Sequence, residues 1–353
     1  MKAYQITAFA QPIEARDIPM PEPTGTQVLV KVSHAGVCHS DLHISDGYYD
    51  LGEDSRLELG ERGVDLPRTL GHEILGQIVS GGPDAGDLDV GARVLVHPWL
   101  GCGECAICRS GSENLCMKPA SLGVFSDGGY ADYCLVPHAR YLIGIGDLDP
   151  AVATPYSCSG VTVFSALSKA LPVGDDEWLV IMGAGGLGLN AVAIAKAMGV
   201  ANVLSVDLDT AKLDAAREMG ADAALNSTDA DAMDQLRKLT GGAPKAVVDT
   251  VGAEATSQLA IGALAKGGRY VIVGLYGGSL TLPLVTLPLR AISVAGSYTG
   301  NLQELKDLIA LARAGKVKPL PTETRDMSKV KETLEDLRAG KIVGRVVLTN
   351  AES

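Results

Sequence analysis

The sequence predicts an α/β chain in which a β-rich, barrel-like module is joined to a doubly wound parallel sheet. Three observations predict it. Short alternating runs punctuated by glycine and proline fill roughly the first 150 residues. From Val161 to Ser297 the pattern switches to strand, helix, strand, helix. The length, 353 residues with 46% hydrophobic and 20% charged, suits about two domains with sizeable cores.

In the first module Gln27–Ser33 (QVLVKVS) alternates apolar and polar residues, the period of a half-buried strand, and 74–80 and 92–97 look alike. Ser45–Pro67 is polar and rich in both charge signs. It reads as a solvated loop, with a lid or a subunit contact as the sharper alternative. The apolar run Trp178–Met182 then predicts a buried strand, followed by a glycine-rich turn and a helix to Met198. Further strands are expected at 203–206, 223–225, 246–249, 270–273 and 292–295, with a helix over 210–219. Six such strands with intervening helices imply an open parallel sheet covered on both faces. A helix over 302–314 and a strand ending at Leu348 close the chain, the last strand returning to the first module. The expected division is therefore 1–160 with 298–353, around 161–297.

Composition excludes several classes. A net charge of −12 argues against nucleic acid and against an anionic membrane surface as partners. Three windows lack acidic and basic residues for 18 residues or more (150–168, 178–195 and 270–289) but contain prolines or clustered glycines. Buried α/β segments explain them better than membrane spans. Residues 1–17 lack the pattern of a signal peptide, so a cytoplasmic location is expected, and seven cysteines then point to metal or catalysis rather than disulfides.

The strongest local signal is Cys102-x2-Cys105-x2-Cys108-x7-Cys116. Four thiolates in fifteen residues can close a tetrahedral zinc site with no open position, a structural rather than catalytic metal, with an iron–sulfur ligand set or reduced bystander thiols as the alternatives. The second signal is Gly183-x-Gly185-x-x-Gly188, set between a strand and a helix and followed, 19 residues past Gly188, by Asp207. The glycines allow a tight turn and close approach to a pyrophosphate, and the helix N-terminus offers free N–H groups. A carboxylate at Asp207 would bind a ribose diol and repel a 2′-phosphate, which favours NAD over NADP in a Rossmann-type dinucleotide-binding unit. Cys38, His72 and Cys158 also have ligand chemistry but lie far apart. Together they would make a three-ligand zinc site with an open position. Singly each reads as a buried thiol or a core histidine.

Taken in order, GVCHSDLH, LGHE, the four-cysteine segment, PYSCSG, GAGGLG and VDLD resemble the medium-chain zinc-dependent alcohol dehydrogenases from Gln27 to Arg345. The resemblance implies a catalytic zinc on Cys38, His72 and Cys158, hence two zinc ions per chain, with Glu73 behind the metal and Asp41 orienting His72. It implies that Ser40 takes the substrate proton and that His43 is the far end of a relay through the nicotinamide ribose. It assigns NAD to His39, Thr162, Gly183, Gly185, Gly186, Leu187, Gly188, Asp207, Lys212 and Arg345, with His39 and Arg345 toward the phosphates and Thr162 beside the nicotinamide. Trp99, and more weakly Leu122, Leu275 and Tyr298, become walls of an apolar pocket for aliphatic, cyclic or aromatic alcohols and their carbonyl products. Cys134 has no role beyond packing. The stretch between Cys38 and His72 is longer than in many relatives. The resemblance further implies a homo-oligomer, dimer or tetramer, for which 270–294 could supply a sheet edge. The competing readings are a polyol dehydrogenase, a zinc-free enone reductase and a non-catalytic dinucleotide-binding protein.

Overall fold

The computed structural model describes residues 1–350. Six strands form one wholly parallel sheet. Their spatial order is Ala223–Asn226, Asn202–Asp207, Trp178–Met182, Ala246–Asp249, Arg269–Ile272, Ser293–Gly296. The order reverses at Trp178–Met182, so the crevice beyond its carboxyl end is the place where such sheets bind ligands. The strand cores, such as WLVIM and AVVD, are apolar because helices cover both faces. Helix Ser159–Ala170 is buried on nearly every side, packing against helices Gly186–Ala197 and Leu302–Arg313. Its buried polar residues are small, and Ser159 Oγ donates to the Pro155 carbonyl at 3.0 Å, so the helix can sit in a core.

The other module is built on the long strand Val28–Gly36, which pairs with Glu73–Gly81, Tyr133–Val136 and Arg345–Thr349. The last strand of the chain does return to the first module, pairing Val347 with Gly36. A three-stranded sheet, Glu14–Asp17, Lys2–Ile6 and Arg68–Thr69, closes its flank. Its core is a cluster including Val30, Ile44, Ile74, Tyr130 and Cys134. Cys134 is buried there, and burial pushes its thiol up to about 12, as suits a packing residue.

The segment read as a solvated loop is an ordered hairpin, Tyr48–Gly52 with Ser55–Glu58. Its two-residue turn, Glu53-Asp54, has both residues at positive φ, 51° and 60°. That conformation matches the twist of a tight hairpin. The hairpin leans across the crevice. A Cβ on Gly52 would lie 3.0 Å from the backbone of Gly278 and Ser279, and one on Gly277 would lie 2.8 Å from Asp50. Among the described residues, no helix is long and apolar enough to cross a membrane.

Candidate active site

The site begins where two neighbouring strands end. Gly36 pairs with Glu73 in the ladder, so the chain just past one strand and just before the other comes together, bringing Cys38 to His72. Cys38 caps helix His39–Asp46, and Asp41 in its first turn accepts the Cys38 backbone N–H at 3.0 Å. Cys158 caps the buried helix Ser159–Ala170 from the opposite side. The ligand atoms of Cys38, His72 and Cys158 all lie within 4.8 Å of one another, and the two sulfurs are 4.0 Å apart. Sulfurs at ~2.3 Å from a tetrahedral zinc sit about 3.8 Å apart, so the set fits that ion.

Asp41, fully buried, organises the centre. Its carboxylate meets His72 Nδ1 at 3.1 Å, accepts the Tyr130 hydroxyl at 2.8 Å and accepts the Gly71 N–H at 3.3 Å. With Nδ1 turned to Asp41, the buried Nε2 has no protein partner. This is the arrangement of a ligand histidine fixed by a carboxylate. Burial opposes a charged His72, but Asp41 and Cys38 outweigh it and hold the imidazole well above its usual value. Cys158 donates to Cys38, which holds the Cys38 thiol well below its usual value and Cys158 well above. The centre therefore concentrates negative charge in a dry site, where a cation belongs.

Glu73 lies behind His72. Burial raises its carboxyl to about 7 against the pull of Arg345, with which it pairs, and it also accepts the Ser159 N–H at 3.3 Å. Trp99 packs with its ring 5.3 Å from His72 and spends its N–H on the Ser157 carbonyl at 3.1 Å. Tyr298 meets Trp99 edge-on at 6.2 Å. Leu275, like Tyr298, is about half exposed, on the loop after strand Arg269–Ile272. Leu122 is buried in the barrel core with Ile74 and Tyr130, and its N–H donates to the carbonyl of Pro98, the residue before Trp99, at 3.1 Å. Tyr130 and Tyr49, which sequence reading did not single out, both join the site. The first sits on Asp41 and the second lies 5.1 Å from His43. Ser40 and His43 are one turn apart on helix His39–Asp46, both half-buried.

Away from the centre, Cys102, Cys105, Cys108 and Cys116 converge within 4.8 Å. Their sulfurs are 3.5 to 3.9 Å apart, again the spacing for a tetrahedral ion. Backbone N–H groups of Cys102, Cys108 and Lys118 point at these sulfurs at 3.3 to 3.4 Å. N–H groups on the Cys102 sulfur lower its thiol to about 6, while burial pushes Cys108 up to about 12. All seven cysteines are free, so no disulfide competes for them.

Residues 24–147 match the alcohol dehydrogenase GroES-like domain, and residues 186–314 match the zinc-binding dehydrogenase domain. The chain is 40% identical over 351 residues to the NAD-dependent alcohol dehydrogenase of Sulfurisphaera tokodaii, covering 99% of each. It is 39% identical over 350 residues to that of Saccharolobus solfataricus, again covering 99% of each. The chain belongs to the zinc-dependent medium-chain alcohol dehydrogenase family. It is an oxidoreductase of that family. Among solved structures, the alcohol dehydrogenase of Aeropyrum pernix superposes with a TM-score of 0.89 at 31% identity, covering 99% of this chain and 100% of that one. The acetophenone reductase of Geotrichum candidum, solved with NAD, gives 0.84 at 32%, covering 99% and 97%.

In this dehydrogenase the glycine turn fits a dinucleotide. Gly183 has φ +91°, and a side chain there would strike Thr250 and Val251 at 2.7 Å. A Cβ on Gly188 would strike the Gly183 carbonyl at 1.9 Å, so helix and strand pack only without one. At Gly185 a Cβ would meet nothing within 4 Å, so protein packing does not require that glycine, and the open space lies at the N-terminus of helix Gly186–Ala197. Leu187 is half-buried in the first turn of that helix. Asp207 ends the second strand and accepts the Ala184 N–H at 2.6 Å, locking the turn to the carboxylate. Gly186 lies against Arg345, whose Cδ a Cβ would meet at 2.5 Å. His39, exposed, feels both Arg345 and Lys212 as nearby positive charges, although burial of its ring is the main influence lowering it. Thr162 is buried one turn after Cys158, its hydroxyl without a protein partner.

Proposed function

We propose that this dehydrogenase interconverts primary or secondary alcohols and their aldehydes or ketones, with NAD as the hydride carrier. The observation that carries the reading is the convergence of Cys38, His72 and Cys158 around a buried, unpartnered His72 Nε2. Zinc held there supplies a Lewis acid that lowers the pKa of an alcohol toward neutrality, and NAD supplies the hydride acceptor. Asp41 keeps Nε2 as the ligand nitrogen of His72. The Ser40 hydroxyl would take the alcohol proton as it gives up its own, and His43, the far end of the relay, would pass a proton on to water. Glu73 buffers the charge behind the centre together with Arg345. Cys102, Cys105, Cys108 and Cys116 hold a second, structural zinc, giving two per chain. His39, Lys212 and Arg345 face the phosphates, Gly183 to Gly188 cradle them, Thr162 adjoins the nicotinamide, and Asp207 selects NAD over NADP. Trp99, Leu275 and Tyr298 line the substrate space.

The matching division of the chain is a catalytic unit, 1–160 with 298–353, around an NAD-binding unit, 161–297. A cytoplasmic homo-oligomer, dimer or tetramer, completes the reading. Strand Ser293–Gly296 is an edge of the parallel sheet and is mostly exposed, with Leu284, Val285 and Leu289 exposed beside it. Such an edge is normally covered. The test of the activity is NADH formation from NAD over primary, secondary, cyclic and benzylic alcohols, with and without a zinc chelator. Chelator-sensitive activity supports the reading, and inactivity across the panel overturns it.

A further inference from the structure

Two phenols stand at the centre with no hydrogen-bond partner for either hydroxyl among the described residues: Tyr49, delivered by the hairpin, and Tyr298, on the loop after the last strand of the parallel sheet. We propose that Tyr49 and Tyr298 make the substrate chamber select alcohols and ketones that carry a second hydrogen-bonding oxygen. The proposal rests on the alcohol dehydrogenase reading and narrows its substrate class.

The two rings are held in place rather than free to turn away. The Tyr49 ring lies 5.1 Å from that of His43, on the strand Tyr48–Gly52 whose end is seated against Gly277 and Gly278. Tyr298 meets Trp99 edge-on at 6.2 Å, and its carbonyl accepts the Asn114 side-chain N–H at 2.9 Å, which ties the loop to the four-cysteine segment. The phenols also sense the same surroundings. Burial raises both. After burial, the groups acting most on Tyr49 are Tyr298, Cys38 and Cys158, and the group acting most on Tyr298 is Cys158. The ring contacts tie both phenols to the centre: Tyr298 packs on Trp99, whose ring lies 5.3 Å from His72, and Tyr49 packs on His43 of the helix that Cys38 caps.

The third aromatic wall differs in kind. Trp99 has already given its only donor to Ser157 and offers the chamber hydrocarbon alone. The phenols each keep a donor and an acceptor on an otherwise apolar body. A bound mono-alcohol displaces water from these hydroxyls without replacing its hydrogen bonds, whereas a second hydroxyl or carbonyl oxygen on the substrate replaces them. A site built this way discriminates against the analogue lacking the oxygen far more than a hydrocarbon wall discriminates between chain lengths.

The test compares kcat/KM for 2,3-butanediol and 1,3-butanediol with that for 2-butanol, in the unaltered enzyme and in Tyr49→Phe and Tyr298→Phe. The expected result is a diol preference of about tenfold or more for at least one diol, falling about threefold or more in each Phe variant. Equal or better use of 2-butanol by the unaltered enzyme overturns the proposal. So does a diol preference that neither variant changes. Failure of the alcohol dehydrogenase reading looks different: none of the three alcohols, nor any of the wider panel, reduces NAD.

Discussion

Acidification should weaken the fold through His97, a residue outside the chemistry. Its ring stacks on Tyr141 at 6.4 Å and 24° and is fully buried, with no charged partner among the described residues to stabilise an imidazolium. Burial pushes the imidazole from 6.5 down to about 3. The folded state thus keeps His97 neutral while the unfolded chain binds a proton below 6.5, so the unfolded state takes up more protons and stability falls as pH falls. The loss begins near the unfolded value of 6.5 and stops growing once the pH passes the folded value near 3. Between pH 7 and pH 5 these two values give about 2 kcal/mol, from one titrating group at ~1.4 kcal/mol per pH unit. His97→Leu removes the proton site while keeping an apolar side chain of similar size. Urea unfolding at both pH values, with zinc held constant, then isolates the term, because acid release of metal affects both proteins alike. The unaltered enzyme should lose about 2 kcal/mol more than the variant between those pH values. Parallel losses, within about 0.5 kcal/mol, would refute a buried neutral His97.

Other expectations concern the site itself. Ser40→Ala should lower turnover by about 10²-fold or more with zinc content unchanged by metal analysis, and near-normal turnover would remove Ser40 from proton transfer. Burial lowers His43 below 6.5, opposed by Cys38 and Asp46. Because a neutral imidazole is needed to accept the proton, turnover should rise with pH through a pKa below 6.5 and then level off, an acid limb that His43→Gln should abolish. Asp207→Ser should raise the NADP-to-NAD ratio of kcat/KM about tenfold or more, and an unchanged ratio would separate Asp207 from cofactor choice. Cys105→Ser should take zinc content from about two ions per chain to about one and lower the thermal midpoint, whereas unaltered stability would deny the four-cysteine site a structural role.

Much of the fold was legible because its signals are local. The run WLVIM is a strand on both readings, and the helix after the glycine turn begins at Gly186 where free N–H groups are needed. The hairpin at 48–58 was not legible, for a definite reason. Its turn is Glu53-Asp54 rather than Asn-Gly or Asp-Gly, and the positive φ of both residues is imposed by the strands and not announced by the residue types. With the hairpin unread, Tyr49 could not be placed at the centre. Tyr130 was hidden differently: nothing in GGYAD marks a tyrosine whose hydroxyl bonds a carboxylate 89 residues away.

Arg345 shows how far a residue-by-residue inference reaches and where packing adds to it. By resemblance it belongs to the cofactor phosphates, and it does lie against Gly186 at the helix N-terminus where phosphates would sit. Yet its guanidinium also closes a buried pair with Glu73, directly behind His72. One strand, Arg345–Thr349, packed between its neighbours through Val347 and Leu348, holds that guanidinium between the two halves of the chemistry. Charge placed on either side is therefore felt on the other. No spacing or periodicity in the sequence contains that coupling. It arises because the end of the chain returns to pair with Val28–Gly36, the strand that leads into Cys38.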